Sequence, residues 1–492
     1  MIKPWEMAVV KERVKDWVLE DYLTDYQLEA WEWSIHRDGS LLWWACGAGK
    51  TLAALLWLVS GPLTEKKLII TRAPAKNQWK FQAAQYTNLN LKVLGGYSSH
   101  LLSKETECVV VSWEMLPYWH ESIKAWSQGN RLAIVWDELH KGKDWRRKEK
   151  YLPTPESRTY KYRWSDNRAA AAARISLMSY RRLGLTATPI RDRRSDLWAQ
   201  LDLIQPNQWG SNWEFIHRYC DAKPSSWGGI DASGTSNCDE LRGKIETVTH
   251  TVPYAQMAKS LPAKRRQQVY IPVEDQSKPV GFAAEYKKLA KKGRQAQFEL
   301  QLLEAAARKR KWIAETAADL AEAGQKVTIF TGRRKDCEKL ADAVQRKLNR
   351  SKRTDITVWH GHGGDSLKNR QQIVQEYATK EGAGILVGTT DAFGEAIDGL
   401  QNTDTAIFAL LPWTPGQVTQ AEGRFSRQGS TRPVLISYVI AEGTVDERVA
   451  DVLLTKLEAV QETLGDEEAG GVARTLSGEE DEEAILDQLF EM

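Results

Sequence analysis

A chain of 492 residues with 42% hydrophobic and 27% charged residues has the composition of a globular protein of two or three domains. No apolar run approaches the ~18 residues of a membrane span, residues 1–7 lack a signal-peptide pattern, and five scattered cysteines without a C-x-x-C pair argue against a zinc site or disulfide frame. The net charge of +3 hides an asymmetry: residues 462–492 hold eleven acids and one arginine, a net of −10, so residues 1–461 carry +13 and suit a polyanionic partner.

In chain order, residues 5–36 show helical spacing of Trp and Leu, and Gln27 sits ahead of the first glycine turn. Residues 41–51 then read as a strand, a glycine loop and a helix. Gly47-Ala48-Gly49-Lys50-Thr51 has the composition of a phosphate-binding loop, with Lys50 for the β and γ phosphates and Thr51 for Mg²⁺. The first glycine of the usual pattern is replaced by Trp44, and a glycine-rich strand–helix turn would account for the same residues. Apolar strands follow at 67–74, 108–113 and 132–140. The last ends in Asp137-Glu138, where a carboxylate pair suits metal binding and water activation at the ligand end of a parallel sheet. A strand surfacing into polar residues is the plainer alternative.

From Lys141 to Arg182 there are thirteen Lys or Arg against four acids, which fits a loop over a phosphate backbone or a solvated insertion. The strand from Arg182 runs into Thr186-Ala187-Thr188, whose hydroxyls suit hydrogen bonding between a nucleotide crevice and a bound strand. Residues 191–260 read as a connector with a Gly/Ser-rich structured loop at 224–234, and residues 282–323 as long helices stopped by Gly324. A second α/β unit follows, with strands at 326–330, 356–359, 384–390, 405–411 and 434–440. His360 and His362 resemble a metal pair, but no carboxylate or Cys cluster accompanies them. Arg424 and Arg427 sit three apart, which suits a γ-phosphate reached from across a cleft, although a surface helix with two arginines is the plainer account of the pair taken alone. The acidic run 479–483 reads as a solvated appendage or a site for a protein partner.

The order of these signals resembles superfamily-two helicases, in particular their Swi/Snf-like branch of DNA translocases. The resemblance covers about residues 20–460 and rests on Tyr26-Gln27, Gly47–Thr51, Gln78-Trp79, Asp137–His140, Leu185–Pro189, Phe330-Thr331, His360-Gly361, Trp413–Pro415 and Gln420–Gln428. Arg218–Lys223, Trp227-Gly228, Ser233-Gly234, Glu240-Leu241 and Leu261–Lys264 are similar to the annealing-helicase members, which act on forked DNA. The resemblance implies an α/β fold of two tandem RecA-like domains: an ATP-binding domain at 1–205, a helical connector at 206–322, a second RecA-like domain at 323–464 and an acidic tail at 465–492.

It implies a DNA-dependent ATPase using ATP and Mg²⁺. Glu138, Lys50, Arg424 and Arg427 would be catalytic, and Gln27, Gly47, Ala48, Gly49, Lys50, Thr51, Asp137, Gly394, Arg424 and Arg427 would bind the nucleotide, with Thr51 and Asp137 at the metal. Gln78, Ser112, Trp113, Thr186, Thr188, Thr331, His360 and Thr390 would face nucleic acid. The expected partner is duplex or forked DNA, not a membrane. The expected state is a monomer, cytoplasmic in a bacterium or virus and nuclear in a eukaryote. A strand-separating helicase and an ATP-gated DNA clamp remain as alternatives. The chain departs from the family pattern at Trp44-Ala45-Cys46, usually polar, at Thr251-Val252, usually a basic pair, and at Ala396 and Asp398.

Overall fold

The computed structural model describes residues 10–45, 47–96, 102–142, 150–154, 157–163, 168–187, 189–190, 193–224, 229–252, 262–272, 294–394, 399–426, 430, 432–464 and 467–477. The chain forms two compact units, Met1–Val252 and Pro253–Met492. Residues expected to connect the domains are shared between them, with the helices Asn212–Tyr219 and Cys238–Glu246 in the first unit and the helix Arg294–Glu322 in the second.

The first unit is built on strands β1 (Gly39–Trp43), β2 (Lys66–Thr71), β3 (Leu91–Val93), β4 (Cys108–Ser112) and β5 (Leu132–Asp137). Two more complete the sheet, β8 (Arg181–Thr186) and β11 (Thr249–Thr251). All pair in parallel, in the order β11-β1-β8-β5-β2-β4-β3. Parallel strands need crossovers, so helices cover both faces and the strands read as nearly continuous apolar runs. Cys108-Val-Val-Val-Ser112 is buried at every position. The helix Lys50–Val59 buries every residue from Leu52 onward, as a helix at the centre of a core does. Near the start of β8, Arg181 forms a buried ion pair with Glu65 at 2.7 Å, and its guanidinium lies 3.9 Å over the Trp57 ring. The basic stretch after Lys141 is not a plain loop. Lys150–Thr154 (β6) and Ser157–Arg163 (β7) pair as an antiparallel hairpin. The Gly/Ser-rich connector loop is closed by a second small pair, β9 (Lys223–Pro224) with β10 (Ile230–Asp231).

The second unit carries β12 (Lys264–Ile271), β13 (Lys326–Thr331), β14 (Thr357–Gly361), β15 (Gly384–Thr389), β16 (Thr405–Phe408) and β17 (Val434–Ala441). They form one parallel sheet, β12-β17-β16-β13-β15-β14. The helix Arg294–Glu322 lays Ile313, Ala314, Ala317, Ala318 and Ala321 against Val327, Ile329, Ile385 and Val387. Its small residues three and four apart let the helix approach the sheet closely. Lys309 of this helix is fully buried, donates to the Val439 carbonyl at 2.9 Å and pairs with Asp446 at 2.5 Å. Both units are therefore mainly parallel α/β sheets, as the resemblance implies.

Candidate active site

The loop after β1 turns through two left-handed glycines, Gly47 at φ 84° and Gly49 at φ 77°. Gly49 caps the helix Lys50–Val59, so Lys50 and Thr51 stand at a helix N-terminus, where backbone N–H groups and the helix dipole favour an anion. The left-handed backbone at 49 favours glycine, and a Cβ there would also lie 2.1 Å from Gln27 Nε2 and push that amide aside. Two residues of the preceding helix hold the loop from outside. Tyr26 donates its hydroxyl to the Ala48 carbonyl at 3.1 Å, and Gln27 Nε2 donates to the Gly49 carbonyl at 3.3 Å. Gln27 Oε1 accepts the Thr24 N–H at 3.0 Å. The expected adenine reader is thus also a brace of the loop. Lys50 Nζ donates to the Trp44 and Ala45 carbonyls, each at 2.9 Å.

Trp44 replaces the polar lead of the family loop for a packing reason. Its side chain is buried, stands edge-on to Tyr26 and donates Nε1–H to His250 Nδ1 at 3.2 Å. Burial pushes the His250 imidazole below its ordinary range, which keeps that nitrogen an acceptor. Cys46 lies outside the described residues.

Asp137 and Glu138 lie at the C-terminal end of β5, one strand away from β1 with β8 between them. Asp137 Oδ2 accepts from Thr71 Oγ1 at 2.6 Å and from Trp79 Nε1 at 2.9 Å, while Oδ1 accepts the Glu138 N–H at 3.1 Å. Trp113 stacks on Trp136 and donates to the Asp137 backbone carbonyl at 2.8 Å. Such outer partners fix the direction of a metal-binding carboxylate. Glu138 has φ 52°, a left-handed backbone that is costly for a side-chain-bearing residue and common at working sites. Its carboxylate lies 3.4 Å from Nδ1 of the buried His140.

The residues fit a nucleotide phosphate with Mg²⁺. The cradle turns through two left-handed glycines, an ammonium shares its helix terminus, and a half-buried carboxylate is oriented from several sides. Thr51 and Asp137 would hold the ion, which when bound neutralises charge on the β and γ phosphates.

The expected nucleic-acid residues divide. Gln78 and His360 have exposed side chains. Ser112 and Trp113 do not: both are fully buried, and the Trp113 indole N–H is spent on the Asp137 backbone carbonyl, where it holds the end of β5. Thr186 is buried at the end of β8, where its carbonyl accepts the Trp44 N–H at 3.3 Å. Thr331 and Thr390 are also buried, with Thr390 Oγ1, just past the end of β15, donating to the Thr331 carbonyl at the end of β13 at 3.3 Å. Thr188 and Arg427 lie outside the described residues, as do Ala396, Asp398 and residues 478–492.

In the second unit Arg424 is buried and donates Nε–H to the Gly394 carbonyl at 3.0 Å, so two segments expected at the nucleotide touch each other. The helix Pro415–Glu422 that leads to Arg424 is anchored by Glu422. This fully buried carboxylate accepts from Arg266 at 2.6 Å and from the Tyr438 hydroxyl. Burial works against its charge, but Arg266, Lys264 and Tyr438 outweigh that and hold the carboxyl below its usual range. Reading the sequence did not single out Thr71, Trp79 or Glu422 for these roles. Trp79 and Glu422 lie inside motifs already noted, and Thr71 had no signal beyond its place at a strand end.

Residues 26–317 match the SNF2-related domain, and residues 308–429 match the helicase conserved C-terminal domain. The chain is 26% identical over 460 residues to the SWI/SNF-related matrix-associated actin-dependent regulator of chromatin subfamily A-like protein 1 of Xenopus tropicalis, covering 89% of this chain and 44% of that protein. The homolog from Caenorhabditis elegans is 25% identical, with 91% and 62% covered. The DNA annealing helicase and endonuclease ZRANB3 of Mus musculus is 25% identical over 319 residues, with 61% and 29% covered. The chain therefore spans less than two thirds of each relative's length. Among solved structures, the Sulfolobus solfataricus SWI2/SNF2 ATPase core in complex with dsDNA aligns with a TM-score of 0.40 and 18% identity, over 92% of this chain and 96% of that one.

Proposed function

The chain belongs to the SNF2-related family, and on that premise we propose that it is a DNA-dependent ATPase that moves along duplex or forked DNA, remodelling or annealing it. The observation that supports this most is local to the first unit. A glycine-capped helix terminus bearing Lys50 and Thr51, and the oriented pair Asp137-Glu138, follow the C-terminal ends of β1 and β5 in one parallel sheet, with only β8 between them. Lys50 would exchange the Trp44 and Ala45 carbonyls for phosphate oxygens. Glu138 would orient and deprotonate the attacking water. Arg424 and Arg427 would stabilise charge developing on the transferred phosphoryl group. DNA is the polyanion that the charge of residues 1–461 suits, and the two relatives' names speak of chromatin and of DNA annealing.

Movement is tested by ATP-driven displacement of a third strand from a DNA triplex. Displacement that stops in Glu138→Gln supports translocation. Hydrolysis without displacement would favour the ATP-gated clamp, and separation of a tailed duplex would favour the unwinding helicase.

A further inference from the structure

The helix Lys76–Tyr86 has two distinct faces. Trp79, Ala83 and Tyr86 are buried, while Asn77, Gln78, Lys80, Phe81, Ala84 and Gln85 are exposed. Phe81 is 68% exposed beside Gln78 and Lys80, an apolar ring flanked by an amide and a cation. Such a surface suits a nucleic-acid strand, with ring contact to a base or sugar and cation contact to a phosphate. On the inner side, Trp79 spends its indole N–H on Asp137 Oδ2 at 2.9 Å, the oxygen that Thr71 also holds. One short helix thus joins an exposed polymer face to the carboxylate expected at the metal. The helix start is tethered by Lys76, whose ammonium donates to the Leu94 carbonyl at 2.7 Å.

We propose that Trp79 is the positioning residue through which bound DNA tunes the metal site. The inference rests on reading the first unit as a DNA-stimulated ATPase. DNA on the outer face of the helix favours one seating of the helix over another. The indole is rigid, so a small change in seating strengthens or weakens the bond to Oδ2 and re-aims Asp137. In this proposal DNA and Mg²⁺ both bias one equilibrium, between the bond as made here and a loosened one. Outer-shell partners of this kind commonly change metal affinity by about ten- to a hundredfold.

The test titrates Mg²⁺ while reading the affinity of a fluorescent ADP analogue, with and without saturating duplex DNA. Hydrolysis is measured alongside. In the parent chain DNA lowers the Mg²⁺ needed for tight nucleotide binding. In Trp79→Phe the Mg²⁺ requirement rises about tenfold and DNA no longer lowers it, while nucleotide affinity without Mg²⁺ is unchanged. Trp126→Phe removes another buried indole N–H, bonded to the Thr106 carbonyl at 3.0 Å, and behaves as the parent does. Thr71→Val removes the other donor to Oδ2 and raises the Mg²⁺ requirement as well, which keeps the test valid should Trp79→Phe fail to fold. A Trp79→Phe chain that keeps the parent's Mg²⁺ dependence, or keeps its DNA-induced shift, overturns the proposal. If parent hydrolysis rises with DNA yet Trp79→Phe behaves as the parent, only the coupling falls. If DNA leaves parent hydrolysis unchanged, the functional reading falls with it.

Discussion

Gly49 and Glu138 both have left-handed backbones next to the proposed chemistry, free of strain for the glycine and costly for the glutamate, and each makes a separate prediction. Gly49→Ala places a methyl at a φ of 77° and against Gln27 Nε2. It should cost about 1–3 kcal/mol of stability and loosen the brace on the phosphate loop, read as weaker nucleotide binding and a lower Tm. Glu138→Gln keeps the shape and removes the base, so kcat should fall about 100- to 10,000-fold while nucleotide affinity stays close to the parent's. At this scale the sequence told much. The composition of the loop and the carboxylate pair pointed to phosphate and metal before any coordinates. It told less about tryptophan. Trp113 reads as a DNA-facing residue and Trp79 as no more than part of a motif, yet both turn inward to hold Asp137. A tryptophan in a motif has one letter for two jobs, and only the packing decides whether its ring or its N–H is used.

Strands buried on both faces were visible as apolar runs, and their order in the chain gave the two parallel sheets. Elements whose patterning is polar were not. β12 reads Lys-Arg-Arg-Gln-Gln-Val-Tyr-Ile, and it is a strand because it lies at a sheet edge beside β17, where alternate side chains stay wet. β3 and β11 are three residues each, too short for a period to show. The basic stretch after Lys141 gave no alternation that would announce its hairpin. The helix Pro415–Glu422 depends on a buried charge that no periodicity reveals. Removing it by Glu422→Gln leaves Arg266 without its carboxylate, which should cost about 3–5 kcal/mol. The pH dependence has a definite sign. The folded-state pKa of Glu422 lies below its ordinary 4.5, so its stabilisation is present above that value and is lost as pH falls through the folded value. Urea unfolding of the full chain from pH 6 downward should show stability falling below about pH 4.5, with a shallower fall in Glu422→Gln.

For the whole chain, charge is the property that links sequence to partner. Residues 1–461 carry +13, and a basic body meets DNA chiefly through its phosphates. Affinity for duplex DNA should therefore drop on the order of 1,000-fold between 50 and 200 mM salt if six or more phosphates are engaged, checked by fluorescence anisotropy across a salt series. A flat salt dependence would argue for contacts of another kind. Two parallel sheets, with a glycine-capped loop in the first and the arginine motif in the second, follow from the order of motifs, and the SNF2-related match over residues 26–317 agrees with that order. The central claim is that polymer and nucleotide meet in one cycle. It is tested most directly by measuring ATP hydrolysis by the full chain with and without duplex DNA, beside Glu138→Gln. Hydrolysis should rise with DNA, fall away with salt and be lost in the variant. Hydrolysis indifferent to DNA, or undiminished in Glu138→Gln, would contradict it.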